Sequence, residues 1–306
     1  MPKEIKVSPI YYMGCKRRLL NKGLVELFPK NIETFVDVFG GSGIVSMNVK
    51  ADKYILNDKD INLYQLYQLF KTEEADTIIE HIKSRIEEYG LAKERTKRNL
   101  YKDKDKIEEY KKAYIKFRDA YNTNKNVLDF YTLLLYSFSQ QFRFNKDGEF
   151  NMPCGNDCYT DTTGEYIKVG CEFFKKSNLE LSNRDFREVL QDVIKGHTEN
   201  SFIYLDPPYL GTVATYNENN GWNVKDEKEL YALLDELTRL GIKWAMSNVG
   251  YHRGEENKIL LDWVEKNDYK VYSFKGMNYV SLGRGNANAT EILVMNWSDS
   301  NAEIQS

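Results

Sequence analysis

The segment SFIYLDPPYL, residues 201–210, limits the possible folds more than any other part of the chain. Its apolar and aromatic residues predict a buried strand, and its two prolines end that strand because proline cannot donate a hydrogen bond to a neighbouring strand. The strand therefore stops at Asp206 and places the carboxylate at the C-terminal edge of a predicted sheet. Open α/β folds bind their ligands at this edge.

A second strand and turn occur near the start, in ETFVDVFGGSGIVSMNV. The apolar run through Asp37 predicts a strand, and Gly40, Gly41 and Gly43 allow the backbone to approach a ligand at the start of a helix. Asp58 lies 21 positions beyond Asp37 and ends the strand KYILND, where an acid can accept from ribose hydroxyls. This spacing fits a ribose-bearing cofactor. Two plainer interpretations stay open: the glycines form only a tight turn, and Asp58 is the N-cap of the helix DINLYQLYQLF.

The N-terminal segment YYMGCKRRLL places Lys16 beside a glycine and ahead of an apolar helix. A lysine in this position can bind a carboxylate or a phosphate. The alternative is an ordinary helix start with solvated basic residues.

The middle of the chain has a different character. From roughly Lys71 to Asn122, Glu, Lys and Tyr recur at helical spacing. The apolar helix NVLDFYTLLLYSFSQ follows, and the alternating segment QFRFNKDGEFNMPCG around Lys-Asp-Gly predicts a β-hairpin. Strand–helix alternation then resumes, and KVYSF and TEILVMNW are predicted as antiparallel edge strands. We predict an α/β catalytic domain of residues 1–70 and 165–306, split by a helical and hairpin insert of residues 71–164.

The composition of the chain says more about its cellular location than about the kind of partner that it binds. A formal charge of −3 with 29% charged residues neither favours nor excludes a polyanion. No apolar run reaches membrane-spanning length and no signal peptide is visible, so we expect a cytoplasmic protein without a membrane partner. Cys154, Cys158, Cys171 and His197 lack the paired spacing of a zinc site, and we expect no metal. Pro153-Cys154 lies in the predicted hairpin, so we interpret that cysteine as a packing residue.

The chemistry open to the DPPY segment is specific. The Asp206 carboxylate and the Pro207 carbonyl can both accept from an NH₂ group, while the ring of Tyr209 can stack on a planar heterocycle. Such acceptors favour the positive charge that develops on nitrogen as it attacks an electrophilic methyl group. Whether Asp206 takes the proton or only orients the amine stays open. An acid before two prolines can also be an ordinary turn.

Taken in order, YMGCK, DVFGGSG, LND and LDPPY resemble the motifs of the Dam-type (D12 class) adenine-N6 DNA methyltransferases of bacteria and phages, and the resemblance continues through FRFNKDGEFNMPCG. It implies a Rossmann-like class I methyltransferase sheet with an inserted target-recognition domain. It also implies S-adenosyl-L-methionine as cofactor and the adenine N6 amine in double-stranded DNA, at GATC, as target. Cys15 departs from the family, which usually has Gly or Asn there.

The resemblance also assigns residues. The catalytic set that it implies is Asp206, Pro207, Pro208 and Tyr209. The cofactor-binding set that it implies is Tyr12, Lys16, Asp37, Gly40, Gly41, Gly43, Asp58, Asp185, Phe186 and Asp206. The DNA-binding set that it implies is Phe138, Ser139, Arg143, Asn145 and Pro153.

The target amine lies inside a duplex, so the base must be flipped out before Tyr209 can stack on it. By the resemblance, Phe138 is the inserted wedge, and Arg143 is a DNA-contacting residue that can bind guanine O6 and N7 together. A core position for Phe138 is the alternative. Lys16, Arg17 and Arg18 can neutralise phosphates, whereas most insert lysines are interleaved with acids and are interpreted as a solvated helix face. We expect a monomer or a weak dimer.

Three alternative functions stay open on the sequence. A nicotinamide-dependent oxidoreductase would use the same nucleotide-binding start but leaves DPPY and the hairpin unexplained. A methyltransferase acting on RNA or on a protein amide often has Asn before the two prolines, so the acid disfavours it. A non-catalytic DNA-binding relative is disfavoured by the intact Asp206 and glycine turn.

Overall fold

The computed structural model describes residues 4–94, 104–196, 200–210, 222–252, 255–274 and 290–297. The chain divides into two compact units. The first unit comprises Met1–Arg17, Gly41–Met47 and Asp60–Leu179, and the second comprises Arg18–Gly40, Asn48–Lys59 and Glu180–Ser306. The predicted insert of residues 71–164 lies within the first unit, and its role in target recognition stays a prediction. Part of its helical stretch, residues 95–103, and His197 lie outside the described residues.

Within the described residues, one eight-stranded sheet organises the second unit. Its strands are β1 (Thr34–Asp37), β2 (Lys53–Asn57), β3 (Leu179–Ser182), β4 (Ser201–Leu205), β5 (Lys243–His252), β6 (Glu255–Glu256), β7 (Lys270–Ser273) and β8 (Thr290–Met295). The strand order is β3-β2-β1-β4-β5-β8-β7, with β6 paired to β5. Strand β1 is parallel to β2 and β4, and β4 is parallel to β5, whereas β8 is antiparallel to β5 and β7.

This arrangement confirms the predicted Rossmann-like α/β sheet and corrects one detail. Strand β7 is an edge strand as expected, but β8 lies between β5 and β7. The reason is its composition: ILVM in β8 is apolar on both faces, which suits a strand with neighbours on both sides. Strand β4 is the same kind of strand, since all five of its residues are buried.

Helices α8 (Phe186–Gly196), α9 (Val224–Arg239) and α10 (Lys258–Lys266) follow the later strands of the second unit. They cover one face of the sheet through a continuous apolar core that includes Ile203, Leu205, Met246 and Ile292. Side chains alternate along a strand, so the neighbouring residues lie on the opposite face. There Phe28 packs on Phe35, Phe202 and Tyr204.

The earlier helices are α1 (Arg17–Leu20), α2 (Ile44–Asn48), α3 (Ile61–Thr72), α4 (Ala75–Tyr89), α5 (Lys104–Asn124), α6 (Val127–Tyr136) and α7 (Asp161–Phe174). In the first unit α6 is central, because every residue from Asp129 to Tyr136 is buried and α3, α4 and α5 contact it. Its start is defined by Asn126, whose side chain accepts from the backbone N–H groups of Leu128 and Asp129. The predicted apolar helix is confirmed over Val127–Tyr136, whereas its predicted last residues, Phe138–Gln140, form a separate 3₁₀ turn.

A buried acid joins three of these helices. Asp129 is 1% exposed and accepts from His81 Nε2 at 2.8 Å, Arg85 Nε at 2.7 Å and Asn124 Nδ2 at 3.1 Å. Burial alone disfavours ionisation, but the bonds from His81 and Arg85 more than offset it and hold the pKa of Asp129 below its ordinary value. The carboxylate therefore ties α4 and the end of α5 to α6. Across the described residues, none of the helices combines the length and the apolarity needed to cross a membrane.

Candidate active site

The second half of the glycine turn is held by two side chains of the first unit, those of Tyr67 and Ser8. Tyr67 donates from its hydroxyl to the Gly41 carbonyl at 2.6 Å, and Ser8 donates to the Ser42 carbonyl at 2.5 Å. Gly41 has φ +52°, and a Cβ there would lie 3.2 Å from the ring of Tyr12. The left-handed backbone conformation therefore favours glycine at this position, and a side chain there would also require the Tyr12 ring to shift.

The structure contradicts one of the two interpretations of the N-terminal lysine. Lys16 is 4% exposed and donates from Nζ to the Gly14 carbonyl at 2.9 Å, so the solvated interpretation is wrong for this residue. Arg17 and Arg18 are exposed, as a solvated basic pair should be. Cys15 is also exposed, which places its thiol away from the packing of the first unit.

At the edge of the sheet, one residue that the sequence analysis missed connects two predicted site segments of the second unit. Asn57 ends β2, is buried, and donates from Nδ2 to the carbonyls of Val38 and Arg184 at 2.9 and 3.0 Å. Its Oδ1 accepts from the Arg184 N–H at 3.0 Å, and its own carbonyl accepts from the Gly40 N–H at 2.7 Å. Asn57 thus fixes the ends of β1 and β2 against the segment before α8. The sequence signal was the Asn of LND.

Asp58 follows directly and its backbone is held at both ends. Its N–H donates to the Ser182 carbonyl at 3.2 Å, and its own carbonyl accepts from Asn183 Nδ2 at 2.8 Å. The N-cap of α3 is Asp60, which accepts from the Asn62 N–H, so the alternative that made Asp58 the helix cap is wrong. Asp37 ends β1 and is buried.

Asp185 and Phe186, at the start of α8, make different kinds of contact. The Asp185 carboxylate accepts from Lys59 Nζ at 2.9 Å and from the backbone N–H and Nη1 of Arg187, both at 3.0 Å. Burial opposes its ionisation, but these donors hold the pKa of Asp185 below its ordinary value. The acid thereby anchors the first turn of α8. Phe186 packs against Phe39 at 5.7 Å and Trp222 at 5.3 Å between ring centroids, which gives an aromatic cluster suited to a planar ring.

Trp222 is itself held by an acid that sequence reasoning did not select. Glu227, in the first turn of α9, is 0% exposed and accepts from Trp222 Nε1 and from the Tyr231 hydroxyl. Burial, the largest cause, raises the pKa of Glu227 above its ordinary value of 4.5. The available signal was helical spacing, because Glu227 shares a face with Leu230 and Leu234.

A pH-dependent stability difference follows from this acid. Because the folded-state pKa of Glu227 is raised, the unfolded chain loses this proton first, and the folded state is penalised as pH rises above about 4.5. Glu227→Gln removes this titration while keeping the side-chain shape. We expect the difference in unfolding free energy between variant and wild type to move in favour of the variant from pH 4 to pH 7 in urea titrations. A constant difference over that range would contradict this expectation.

The DPPY segment lies where the sequence predicted. β4 ends at Leu205, and Asp206 follows it, half-buried, at the C-terminal edge of the sheet. The Tyr209 hydroxyl lies 3.0 Å from Asp206 Oδ1 and 3.1 Å from Glu291 Oε1 of β8. Pro207 is buried and Pro208 is exposed. Glu291, which is 1% exposed, is a second acid that the sequence analysis did not select.

The predicted DNA-binding residues lie together in the first unit, around the end of α6. Phe138 is 46% exposed, so the core alternative is wrong. It is presented by an irregular turn in which Ser139 and Gln140 have φ of 55° and 52°, and its N–H donates to the Pro153 carbonyl at 2.9 Å. An exposed phenylalanine on a backbone held in this way is a suitable wedge.

The predicted hairpin is present as antiparallel pairing around a tight turn, although it forms isolated bridges and not full strands. Asn145 closes the turn by accepting from the N–H groups of Asp147 and Glu149. Arg143 is exposed and donates from Nε and Nη2 to Asn151, at 2.8 and 3.2 Å. Three aromatic rings of this segment, those of Phe142, Phe144 and Phe150, pack on Phe130 of α6.

Gly155 packs closely against the backbone that follows α6, and its substitution should lower the stability of the protein. A Cβ at Gly155 would lie 2.4 Å from the Ser137 carbonyl oxygen, so the backbone would have to move. We expect Gly155→Ala to lower the unfolding free energy by about 1–3 kcal/mol in urea titrations. Gly196, at the end of α8, is the matched control because a Cβ there meets nothing within 4 Å. Equal stabilities of the two variants would contradict the assignment of close packing at Gly155.

The thiol of Cys154 is not activated as a nucleophile. Burial raises its pKa to about 11, so the thiol stays protonated at neutral pH. This supports its interpretation as a packing residue. Among the residues that the structure describes, no group of three or more His, Cys, Asp and Glu is placed to hold a metal ion.

Comparisons with known proteins identify relatives of the chain as a whole. The modification methylase StsI of Streptococcus sanguinis is 34% identical over 305 residues, which cover 96% of this chain and 43% of that protein. The type II methyltransferase M.FokI of Planomicrobium okeanokoites is 34% identical over 299 residues, with 95% and 43% covered. The chain therefore spans somewhat less than half the length of these two relatives. The DNA adenine methylase of Escherichia coli (strain K12) is 26% identical over 248 residues, or 76% of each chain.

The family model described as D12 class N6 adenine-specific DNA methyltransferase matches residues 12–279. That range includes the glycine turn, the hairpin and the DPPY segment, and it contradicts the nicotinamide oxidoreductase alternative. The chain belongs to the D12 class of N6 adenine-specific DNA methyltransferases.

Proposed function

We propose that this chain transfers a methyl group from S-adenosyl-L-methionine to the N6 amine of adenine in double-stranded DNA, after flipping the base out of the duplex. The observation that carries the proposal is the position of Asp206. Its carboxylate is fixed at the C-terminal end of β4 by two prolines and lies 3.0 Å from the Tyr209 hydroxyl. Acceptors at this edge, beside an aromatic ring, suit an amine on a planar base.

The residues present fit the proposed cofactor. In the second unit, Phe186 offers an aromatic face to a purine, and Asp58 offers carboxylate oxygens to ribose hydroxyls. Asp37, Gly40 and Asp206 complete the proposed set there, while Asp185 acts by anchoring Phe186. In the first unit the proposed set is Tyr12, Lys16, Gly41 and Gly43. When bound, the cofactor supplies an electrophilic methyl group on a sulfonium.

The proposed work of the protein is to prepare the amine. Asp206 and the Pro207 carbonyl accept its two N–H bonds, which favours the positive charge that forms on nitrogen during attack. Pro208 fixes the direction in which the chain leaves the sheet, because its ring restricts φ. Tyr209 stacks on the flipped adenine and fixes the plane of the base.

The proposed DNA contacts come from the first unit. Phe138 fills the gap left by the flipped base, and Ser139, Asn145 and Pro153 support the same surface. Arg143 reads a guanine edge, because its guanidinium can donate to O6 and N7 together. The exposure of Phe138 and Arg143 supports these roles. The predicted target is GATC, and the reaction is proposed to occur in the cytoplasm of a bacterial or phage-infected cell by a monomer or weak dimer.

Methylation mapping tests the whole proposal. Purified protein is incubated with plasmid DNA and labelled cofactor, and modified bases are located by single-molecule sequencing. We expect N6-methyladenine in one sequence context, which identifies the target and tests GATC directly. Label in RNA or protein, and none in DNA, would favour the alternative substrates.

Arg143 should affect sequence discrimination more than general affinity. We expect Arg143→Ala to weaken binding to the mapped target by about 10- to 100-fold, the value of one bidentate base contact. Non-target DNA should be affected much less, as measured by fluorescence anisotropy. Lys146→Ala in the same turn is the control for loss of one exposed charge, and Arg143→Lys keeps the charge without the paired donors. An equal loss on all DNA sequences would contradict base reading.

A further inference from the structure

Glu291 is buried beside the DPPY segment, yet nothing in the preceding mechanism uses it. It lies on β8, opposite Val249 of β5, and is 1% exposed. Its neighbours Ile292 and Val294 pack into the helix-covered core, so alternation places Glu291 on the other face of the sheet. An acid inside an otherwise apolar strand is costly unless it has a partner. The Tyr209 hydroxyl is such a partner.

Tyr209 is held between two carboxylates. Its hydroxyl oxygen lies 3.0 Å from Asp206 Oδ1 and 3.1 Å from Glu291 Oε1. A phenol has one proton to donate, so at any instant it donates to one of these two acids. Rotation about the C–O bond moves the proton from one acceptor to the other without displacing the ring. The hydroxyl therefore has two alternative acceptors at fixed positions.

The choice of acceptor matters for Asp206. When the phenol donates to Asp206, it occupies acceptor capacity that an incoming amine would use. When it donates to Glu291, Asp206 is released toward the amine and the ring stays in place. We propose that Glu291 is a positioning residue of the methyl-transfer site, which accepts the hydrogen bond of the Tyr209 hydroxyl so that Asp206 can bind the target amine. This inference rests on the proposed function.

A double-mutant cycle tests the inference, because Glu291 should act only through the Tyr209 hydroxyl. Single-turnover methyl transfer to the mapped plasmid site is measured for the wild type, Glu291→Ala, Tyr209→Phe and the double variant. We expect Glu291→Ala to slow transfer by about 10- to 100-fold, the value of a hydrogen bond to a charged group. In the Tyr209→Phe background the same change should have little further effect, since no hydroxyl is left to direct. Glu291→Gln keeps an acceptor and should lose less than Glu291→Ala.

A matched control separates positioning from stability. Ser247 lies on the same face of the sheet and is hydrogen-bonded to the Tyr204 hydroxyl at 2.8 Å, so Ser247→Ala removes a buried polar contact that does not involve Tyr209. It should transfer methyl groups at the wild-type rate. The same four-variant cycle is also measured by urea unfolding, and it should show coupling between Glu291 and Tyr209 without any cofactor.

The outcomes are distinct. Unchanged transfer in Glu291→Ala, or equal slowing in both backgrounds, overturns the role of Glu291 while leaving the proposed function intact. A wild type that transfers no methyl group to DNA refutes the proposed function. In that case the unfolding cycle still tests the contact between Glu291 and Tyr209. Additive effects of the two substitutions on the unfolding free energy would overturn the contact, and coupling between them would support it.

Discussion

Asp206→Ala is expected to reduce methyl transfer by about 100- to 10,000-fold, the range for losing a positioned acid–base group or a key electrostatic contact. The substitution removes the charge-bearing acceptor at the end of β4 and leaves the Pro207 carbonyl alone to hold the amine. Asp206 is half-buried at a strand end, so the fold should tolerate the change. Single-turnover assays with labelled cofactor measure the rate, and equilibrium dialysis measures cofactor binding, which should fall less.

Two further variants make this prediction specific. Asp206→Asn keeps one acceptor oxygen without the charge and should lie between alanine and wild type. Asp262→Ala removes an exposed carboxylate of α10 that is paired with Lys258, and it should transfer at the wild-type rate. Unimpaired turnover of Asp206→Ala would remove Asp206 from the mechanism and with it the proposed function.

Asp129→Ala is expected to lower the unfolding free energy by about 3–5 kcal/mol, the value for breaking a buried ion pair by removing one partner. The change leaves Arg85, His81 and Asn124 facing α6 without their shared acceptor. Urea unfolding at neutral pH measures the loss. Asp129→Asn should recover part of it, because the amide oxygen still accepts one of the three bonds.

The pH dependence identifies the cause of this loss. The pKa of Asp129 is lowered in the folded protein, so its contribution is present above the ordinary value of 3.8 and disappears as pH falls below it. The difference between wild type and Asp129→Asn should therefore shrink on acidification through that range. A difference that is constant with pH would assign the effect to packing and not to charge.

The sequence predicted those parts of the fold in which local pattern and tertiary position agree. Strands β1, β2 and β4 were predictable because each apolar run ends at a polar or proline stop, and α6 because apolar and aromatic residues make up most of it. The place of β8 in the strand order was not predictable in the same way. A short apolar strand near the end of the chain fits an edge or an interior position equally well until its neighbours are known.

For the site, single motifs were predictable and their supporting residues were not. Asp206 was visible because DPPY is local. Glu291 was not, because its partner Tyr209 is 82 positions away and only the sheet order brings them together. Glu227 was hidden among charged neighbours in DEKELYALLDEL, where its burial depends on which helix face meets the sheet. Asp185 was predicted as a cofactor-binding residue together with Phe186, but its ion pairs with Lys59 and Arg187 arise from tertiary structure and were not predictable.

The insertion of β8 between β5 and β7 has a consequence for biosynthesis. In the described part of the sheet, β7 has β8 as its neighbour, so β7 cannot dock while β8 is still inside the ribosome. When Asp206 and Tyr209 have already emerged from the ribosome, Glu291 has not yet emerged and cannot contact Tyr209. Premature termination before residue 290 would thus yield products that bear the DPPY segment but expose the open side of β5, a surface prone to aggregation.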